Sequence, residues 1–435
     1  MNTHIRKAVA VVAIGAMSVS LAACGSSNSQ GGASGSGKLT VAWWGNQTRN
    51  DRQKQVDELF ASKHEGLSID GQFSQYNDYW QKLATNAAGK TLPDVIQMDF
   101  SYLSQYIDNK LLEPLDDYVS SGKINLSDVD ENTISSGRGT DGKLYALPSA
   151  VNAPTMVYNK TLLDSLGITI PDDWTLEDFE NIAREVYAKS GVRTHFGYMG
   201  DAYNLEYNLR AHDIALFDGD KLGTTDPKYY EEYFKVFADG YKEGWHLTAE
   251  FYTGITLNSQ EQSPLVNYSS PETQSWVSLS WSNQIVSFAK VNDKNELALA
   301  PWPSANVKKS NYVLPSQYWA ITRTSKNKDL AADFINFYTN EAEAAKIMLT
   351  DRGIPISSKM IDAITPSLTQ YEKAAADYQK TVGANSSPIN QPMPAKATEI
   401  NSRVIPAIEE SIMYGKLDAA GAAQEFIAKA QDALK

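Results

Sequence analysis

The chain has 435 residues, of which 42% are hydrophobic, and its 39 basic and 52 acidic side chains give a formal net charge of −13. A folded part of roughly 400 residues exceeds what one hydrophobic core supports, so we expect two lobes. The acidic balance argues against nucleic-acid binding and against electrostatic adhesion to anionic lipid, and it suits a neutral or cationic ligand.

Residues 1–23 have the layout of a cleavable signal peptide. Arg6 and Lys7 precede an apolar run that is shorter than the roughly 20 residues a membrane-spanning helix needs. Leu-Ala-Ala-Cys at 21–24 resembles the bacterial lipobox, so we expect a lipid on Cys24; the alternative is an ordinary secretory leader with a stray cysteine. Cys24 is the only cysteine in the sequence, which excludes disulfide bonds.

Residues 24–37 are rich in glycine and serine and predict a flexible tether. A lipid at its start would anchor the protein to the membrane without spanning it. The folded part is therefore expected to occupy residues 38–435 and to stand away from the membrane surface.

Strand and helix patterns alternate at the start of the folded part. Apolar alternation predicts strands, and helical spacing predicts the helices between them. The β-α-β-α-β order indicates a parallel sheet covered by helices, with ligands at the carboxyl ends of its strands. The predicted strands are 38–45, 67–73 and 93–99, and the predicted helices are 51–63 and 76–88.

A second α/β lobe is predicted to begin near residue 150. Thr175 and Asp178 have the spacing of a capping box at a helix start. Other apolar patterns predict strands at 156–160, 266–281, 296–301 and 318–322, and helices at 161–166, 328–338 and 418–434.

Eight segments in a fixed order carry a resemblance to a known family. They are 39–45 (LTVAWWG), 93–99 (PDVIQMD), 142–148 (GKLYALP), 158–163 (YNKTLL), 171–175 (PDDWT), 281–284 (WSNQ), 300–303 (APWP) and 352–355 (RGIP). Their order and content, together with the lipobox, resemble the extracellular solute-binding proteins of carbohydrate ABC transporters, the family of the maltodextrin-binding proteins. The resemblance covers nearly the whole mature chain.

The resemblance implies an α/β fold of the periplasmic-binding-protein type, with two discontinuous lobes joined by hinge strands. Lobe 1 would contain residues 38–152 and 316–352, and lobe 2 would contain 153–315 and 353–435. The ligand would bind in the cleft, and the lobes would close over it. The membrane permease would then recognise the closed, loaded form.

The same resemblance implies a receptor without catalytic activity or cofactor. We expect a monomer on the extracellular face of the membrane, lipid-anchored as in Gram-positive bacteria. Its expected partners are an oligosaccharide of two to several units and the permease subunits of an ABC importer, and nucleic acid is not among them.

Two alternatives remain at this stage. A secreted glycoside hydrolase would need two carboxylates roughly 5 to 9.5 Å apart, and Asp99 and Glu206 are candidates without a motif behind them. A receptor for a non-sugar ligand is the other alternative; a metal receptor would need a cluster of His, Asp and Glu, which the five histidines do not form.

A sugar ring presents an apolar face and a rim of hydroxyls, so its site needs flat aromatic rings and directional polar groups. Trp44, Asn46 and Arg49 follow the first strand and are candidates. Alternation puts Trp43 and Trp44 on opposite faces, and we assign Trp43 to the core and Trp44 to the cleft.

Asp99 ends the third strand, where it can bind ligand, cap the next helix, or do both. Tyr102 lies close by, and Asn152 lies at the first crossing between lobes. Trp281 is the leading site residue, because it matches the position at which relatives stack an aromatic ring on a sugar.

The remaining candidates lie late in the chain. Trp302, between two prolines, either contacts ligand or packs on the sheet edge. Tyr318 and Trp319 alternate on a hinge strand, so one of them is expected to face the cleft. Arg352, at the third crossing, either contacts ligand or forms an ion pair between lobes.

Overall fold

The computed structural model describes residues 37–45, 47–197, 201–255, 262–391, 393–394 and 396–435. The predicted signal peptide, Cys24 and Asn46 lie outside these ranges. Among the residues that it describes, no helix is long and apolar enough to cross a membrane.

The strands form two main sheets and one short hairpin. They are β1 (Lys38–Trp44), β2 (Ser68–Ser74), β3 (Val95–Met98), β4 (Leu147–Asn152), β5 (Pro154–Asn159), β6 (Phe217–Asp218), β7 (Lys221–Leu222), β8 (Val277–Trp281), β9 (Leu297–Ala300), β10 (Leu314–Ile321) and β11 (Ile354–Pro355).

Helices cover these sheets. In the first half of the chain they are α1 (Gln47–Ser62), α2 (Tyr76–Gly89), α3 (Phe100–Asp108), α4 (Asp116–Ser120), α5 (Glu131–Ser135), α6 (Lys160–Leu166), α7 (Leu176–Ser190) and α8 (Asp201–Arg210). In the second half they are α9 (Lys228–Glu243), α10 (Ala249–Gly254), α11 (Ile285–Val291), α12 (Val307–Ser310), α13 (Lys328–Asn340), α14 (Ala342–Met348), α15 (Ser358–Ile364), α16 (Gln370–Ala384), α17 (Ala397–Glu399), α18 (Ile405–Met413) and α19 (Ala419–Ala433). Short 3₁₀ turns occupy Ser282–Gln284 and Thr365–Ser367, and a π-helical turn occupies Ile400–Val404.

The larger sheet has the strand order β11-β4-β10-β3-β1-β2. As predicted, β1 pairs in parallel with β2 and β3. The late strand β10 inserts antiparallel between β3 and β4, where Tyr318 pairs with Met98. Lobe 1 is therefore built from separate parts of the sequence.

The smaller sheet, β8-β5-β9, belongs to lobe 2. The chain passes between the lobes at Ala153, the single residue between β4 and β5. This crossing is held at the end of β8, since the Ala153 N–H donates to Ser282 Oγ at 3.1 Å and the Ser282 N–H donates to the Ala153 carbonyl at 2.9 Å.

Alternation along β1 distributes its side chains between two cores. Leu39, Val41 and Trp43 pack in the core on one face of the sheet, and Ala42 and Trp44 pack in the core on the other face. Because helices cover both faces of a parallel sheet, both tryptophans are buried. Trp43 is a core residue as expected, and so is Trp44, contrary to its assignment to the cleft.

The predicted capping box at the start of α7 is confirmed. The Asp178 N–H donates to Thr175 Oγ1 at 3.2 Å, and the Thr175 N–H donates to Asp178 Oδ2 at 2.9 Å. The predicted strand 266–281 is wrong over most of its length, because pairing with β5 begins only at Val277. Within the described part of the chain, the residues before it make only an isolated bridge, between Ser275 and Arg193, and the buried Trp276 donates its indole N–H to Thr194 Oγ1 at 2.8 Å.

The third passage between the lobes lies beyond the expected residue 352. Ile354 and Pro355 pair with β4 in the larger sheet. Helix α14 packs on α1, and α15 packs on α14. Helix α16 packs on α11 and β9 of lobe 2 and also contacts β11, so it lies at the junction of the lobes. The chain thus returns to lobe 2 between α15 and α16, and the sequence does not reveal this because β11 is only two residues long.

Candidate functional site: a cleft between the lobes

A cleft of about 900 Å³ separates the two lobes, and we call it the interlobe cleft. One wall is formed by the starts of α2 and α3, and the other by α8. Its floor contains the hinge ends of β4 and β10. The volume lies at the upper end of the range for small-molecule sites, which is about 300–1,000 Å³.

Tyrosines line both walls of the cleft. Tyr76 and Tyr102 extend from the lobe 1 side, and Tyr203 and Tyr312 from the lobe 2 side. Burial, followed by the charge of Asp99, raises the pKa of Tyr76 to about 12. These rings offer the combination of a flat apolar face and a hydroxyl that a sugar site requires.

Tryptophans support the tyrosines from behind. Trp80 stacks on Tyr102 with ring centroids 4.0 Å apart, and Trp44 meets Tyr76 edge-on at 5.5 Å. In lobe 2, Trp281 contacts both cleft tyrosines, at 5.5 Å from Tyr203 and 6.2 Å from Tyr312. In lobe 1, the aromatic site therefore has a front layer of tyrosine and a second layer of buried tryptophan.

Two half-buried carboxylates face the cleft from opposite lobes. Asp99 caps α3 by accepting from the Ser101 N–H at 2.9 Å, so it fulfils the capping role and also lines the cleft. Glu206 accepts from Asn390 Nδ2, and burial raises the pKa of Glu206 while that hydrogen bond opposes the rise. Burial first, and then the charges of Glu206 and Asp99, raise the pKa of Tyr203, which places this ring near both acids.

Arg210 lies at the end of α8 with 5% of its surface exposed. Its guanidinium donates to the carbonyls of Ser310 at 3.0 Å and Pro388 at 2.9 Å, and to Asn390 Oδ1 at 2.9 Å. It also lies over the ring of Tyr312, 4.8 Å from the centroid. Arg210 therefore fixes other parts of the site in place.

Arg210 contacts residues 386–391, which lie between α16 and α17. We call these residues the connecting segment. Its Ile389, Asn390 and Gln391 line the cleft. On the lobe 1 side, Asn132 Nδ2 donates to the Ser386 carbonyl at 3.3 Å. The connecting segment therefore contacts both lobes and forms one edge of the cleft.

Of the residues predicted from sequence, the structure brings Asp99, Tyr102 and Asn152 together in the cleft lining. Asn152 Oδ1 is buried and has no hydrogen-bond partner among the described residues. Buried acceptors in proteins are normally paired, so this oxygen is suited to receive a hydroxyl of a bound ligand.

Other predicted residues are not part of the cleft lining. Trp281 is half-buried and contacts the lining residues Tyr203 and Tyr312. Trp302 is 2% exposed, with its indole N–H donating to the Thr155 carbonyl. This is the packing alternative that the sequence left open for Trp302. Tyr318 and Trp319 are both buried, on opposite faces of the larger sheet, so the expectation that one faces the cleft is not met.

Arg49 and Arg352 make contacts within lobe 1. Arg49 pairs with Asp351 at 2.9 Å. Arg352 is 3% exposed and donates to Gln53 Oε1 at 3.0 Å, so these contacts join α1 to the turn that precedes β11. The ion pair between lobes that was considered for Arg352 does not form in this structure, because its partners belong to lobe 1.

Sequence reasoning missed most of the lobe 2 wall. Tyr203, Glu206 and Arg210 occur at helical spacing on α8, which places them along one face. The sequence shows this helical spacing, but it does not show which face of α8 lines the cleft. Glu206 was considered only as a carboxylate of the hydrolase alternative. No sequence pattern indicated that Tyr312 would line the cleft.

Two lobes, hinge strands between them and a large aromatic cleft define a solute-binding protein. The family of bacterial extracellular solute-binding proteins matches residues 55–376, and the chain belongs to this family. The membership expected from the sequence is confirmed.

Similar proteins cover both lobes. The maltotriose-binding protein of Pyrococcus abyssi is 22% identical over 339 residues, which are 75% of this chain and 68% of that protein. The galactooligosaccharide-binding protein of Bacillus subtilis is 22% identical over 97% of this chain and 95% of that protein. A solved family 1 extracellular solute-binding protein from Alicyclobacillus acidocaldarius is 26% identical, with a TM-score of 0.82 over 91% of this chain and 98% of that chain. The expected two-lobed fold is confirmed.

Proposed function

We propose that this protein captures oligosaccharides outside the cell and delivers them to the permease subunits of an ABC importer. The observation that carries the proposal is the interlobe cleft of about 900 Å³, which is lined by tyrosines from both lobes. Carboxylate and amide groups between the rings suit sugar hydroxyls. The names of the relatives from Pyrococcus abyssi and Bacillus subtilis support the same ligand class.

Titration calorimetry of the purified full-length protein tests this proposal. Neutral oligosaccharides of different linkage, each with its monosaccharide, are titrated separately. We expect one of them to bind at one molecule per protein and more tightly than its monosaccharide, because the cleft has room for more than one aromatic subsite. Binding of none of them would contradict the proposal.

The proposed receptor performs no chemistry on its ligand. Asp99 and Glu206 line one cleft, so the hydrolase alternative is tested directly by chromatography of the sugar after long incubation with protein. Recovery of unchanged sugar is expected. Release of shorter sugars that disappears in Asp99→Asn would show a glycoside hydrolase.

We further propose that Cys24 carries the lipid anchor on the extracellular face of the membrane. The supporting observation is the Leu-Ala-Ala-Cys sequence followed by a glycine- and serine-rich tether. Metabolic labelling with an alkyne fatty acid should tag the protein and leave Cys24→Ser untagged. Equal labelling of both proteins would exclude this anchor.

A further inference from the structure

We infer that the interlobe cleft selects neutral and amino sugars and rejects sugars that carry carboxylates. The inference rests on the proposed sugar-binding function and specifies its substrate class. It follows from the acidic and basic side chains that line the cleft and from the protein contacts that each of these side chains makes.

Three acidic or basic side chains occur among the described residues that line the cleft: those of Asp99, Glu206 and Arg210. A site for an acidic sugar requires a cation with free donors, because carboxylates are bound by charge-assisted hydrogen bonds. Arg210 is the single cation in this described lining, so the selectivity depends on whether its guanidinium is available.

The guanidinium group of Arg210 is engaged in hydrogen bonds within the protein. Its Nε, Nη1 and Nη2 atoms all donate to protein oxygens, at the end of α12 and in the connecting segment. The aromatic ring of Tyr312 covers the guanidinium, and only 5% of the residue is exposed. A ligand carboxylate would have to break these contacts in order to reach the charge.

The two half-buried acids line the cleft and make fewer contacts than Arg210. Asp99 is held through one oxygen by the start of α3, and Glu206 receives one hydrogen bond from Asn390. Their other acceptor positions suit hydroxyl or ammonium donors of a sugar. A ligand carboxylate at about 5 Å from one of them would bind about a hundredfold more weakly than its neutral counterpart, taking an effective dielectric constant of about 20.

The test uses matched sugars that differ in charge at one position. Maltotriose, cellotriose, galactotriose and diacetylchitobiose are titrated into the full-length protein. Each is compared with a form in which one primary hydroxyl is oxidised to a carboxylate and a form in which the same hydroxyl is replaced by an amine. We expect at least one neutral sugar to bind, its carboxylate form to bind at least about a hundredfold more weakly, and its amine form to retain affinity.

Variants assign the selectivity to these acids. Asp99→Asn and Glu206→Gln keep the side-chain shape and should each reduce the difference between the neutral and carboxylate forms, as should added salt. Glu250→Gln, at an exposed position in a separate depression of lobe 2, is the matched control and should leave the difference unchanged.

The outcomes separate this inference from the proposed function. A carboxylate form that binds as tightly as its neutral counterpart, or selectivity that persists unchanged in the double variant of Asp99 and Glu206, would overturn the inference while sugar binding stands. Failure of every sugar to bind, in all three charge forms, would overturn the proposed function together with the inference.

Discussion

Tyr102 stacks on Trp80 with ring centroids 4.0 Å apart and ring planes 17° from parallel. Trp80 is 8% exposed, whereas Tyr102 lines the interlobe cleft. In lobe 2, the half-buried Trp281 contacts both Tyr203 and Tyr312. In both walls, a tryptophan packs against tyrosines that line the cleft.

Replacement of a front-layer ring should affect binding far more than stability. Tyr102→Ala should weaken oligosaccharide binding by about ten- to a hundredfold, since a ring buried against ligand contributes about 1.5–3 kcal/mol. Titration calorimetry measures the affinity, and urea unfolding measures stability. Tyr414→Ala, at a site that is 50% exposed on the end of α18, is the matched control and should bind normally. Unchanged affinity in Tyr102→Ala would remove this ring from the site.

Replacement of the tryptophan that contacts the lobe 2 tyrosines should affect both properties. Trp281→Ala should lower the free energy of unfolding by about 3 kcal/mol, because the half-buried indole packs against Tyr203 and Tyr312. Affinity should fall as well, since those rings lose their support. Trp281→Phe keeps an aromatic ring and should recover most of both losses. Normal stability in Trp281→Ala together with lost binding would instead indicate direct stacking on the sugar.

Arg210 should act as a positioning residue for the connecting segment. Arg210→Lys keeps the charge but loses the planar set of donors to Ser310, Pro388 and Asn390. We expect faster amide hydrogen exchange in residues 386–391 and weaker sugar binding. Arg403→Lys, whose side chain is 73% exposed, is the control and should match the wild type. Unchanged exchange in Arg210→Lys would contradict the positioning role.

Two buried histidines should make the fold sensitive to acid. Burial lowers the pKa of His195 to about 3 and that of His246 to about 4, whereas an unfolded histidine titrates near 6.5. Between pH 6.5 and 4 the unfolded chain binds protons that the folded chain excludes. Each histidine therefore lowers the free energy of unfolding by about 1.4 kcal/mol per pH unit of acidification.

Asp57 should oppose this trend. Burial raises its pKa to about 7, so the folded chain holds a proton that the unfolded chain, with an ordinary pKa of 3.8, releases. Acidification from pH 7 towards 4 therefore favours folding through Asp57, and the net loss from these three groups is about 1.4 kcal/mol per pH unit below about pH 6. Asp57→Asn should steepen the loss to about 2.8 kcal/mol per unit. Urea unfolding at pH 4.5, 5 and 5.5, inside the range where the unfolded histidines are protonated, measures both slopes, and equal slopes would contradict the assignment to Asp57.

Local sequence patterns predicted the structure correctly where residues close in sequence determine it. The capping box of Thr175 and Asp178 needs only two side chains at a fixed spacing, and the strand pattern of β1 needs only alternation. The helices that pack on the sheet determine whether Trp44, on that strand, contacts the ligand or is buried in the core. That choice depends on residues distant in sequence, and the sequence alone did not reveal it.

The candidate site was predictable on one side only. Asp99 and Tyr102 follow a buried parallel strand, where the strand-end rule for ligands applies. Tyr203, Glu206 and Tyr312 reach the cleft through a helix and a loop, whose orientation is set by the packing of lobe 2. The hinge boundary at β11 depends on the pairing of two residues with β4, which has no pattern of its own.

Closure of the two lobes on a sugar is the central claim, and small-angle X-ray scattering tests it most directly. The radius of gyration of the full-length protein is measured alone and with a saturating amount of each neutral oligosaccharide. The account predicts a smaller radius with the sugar that binds, reached at one sugar per protein and absent with its monosaccharide. An unchanged radius with every oligosaccharide, including one shown by calorimetry to bind, would contradict it.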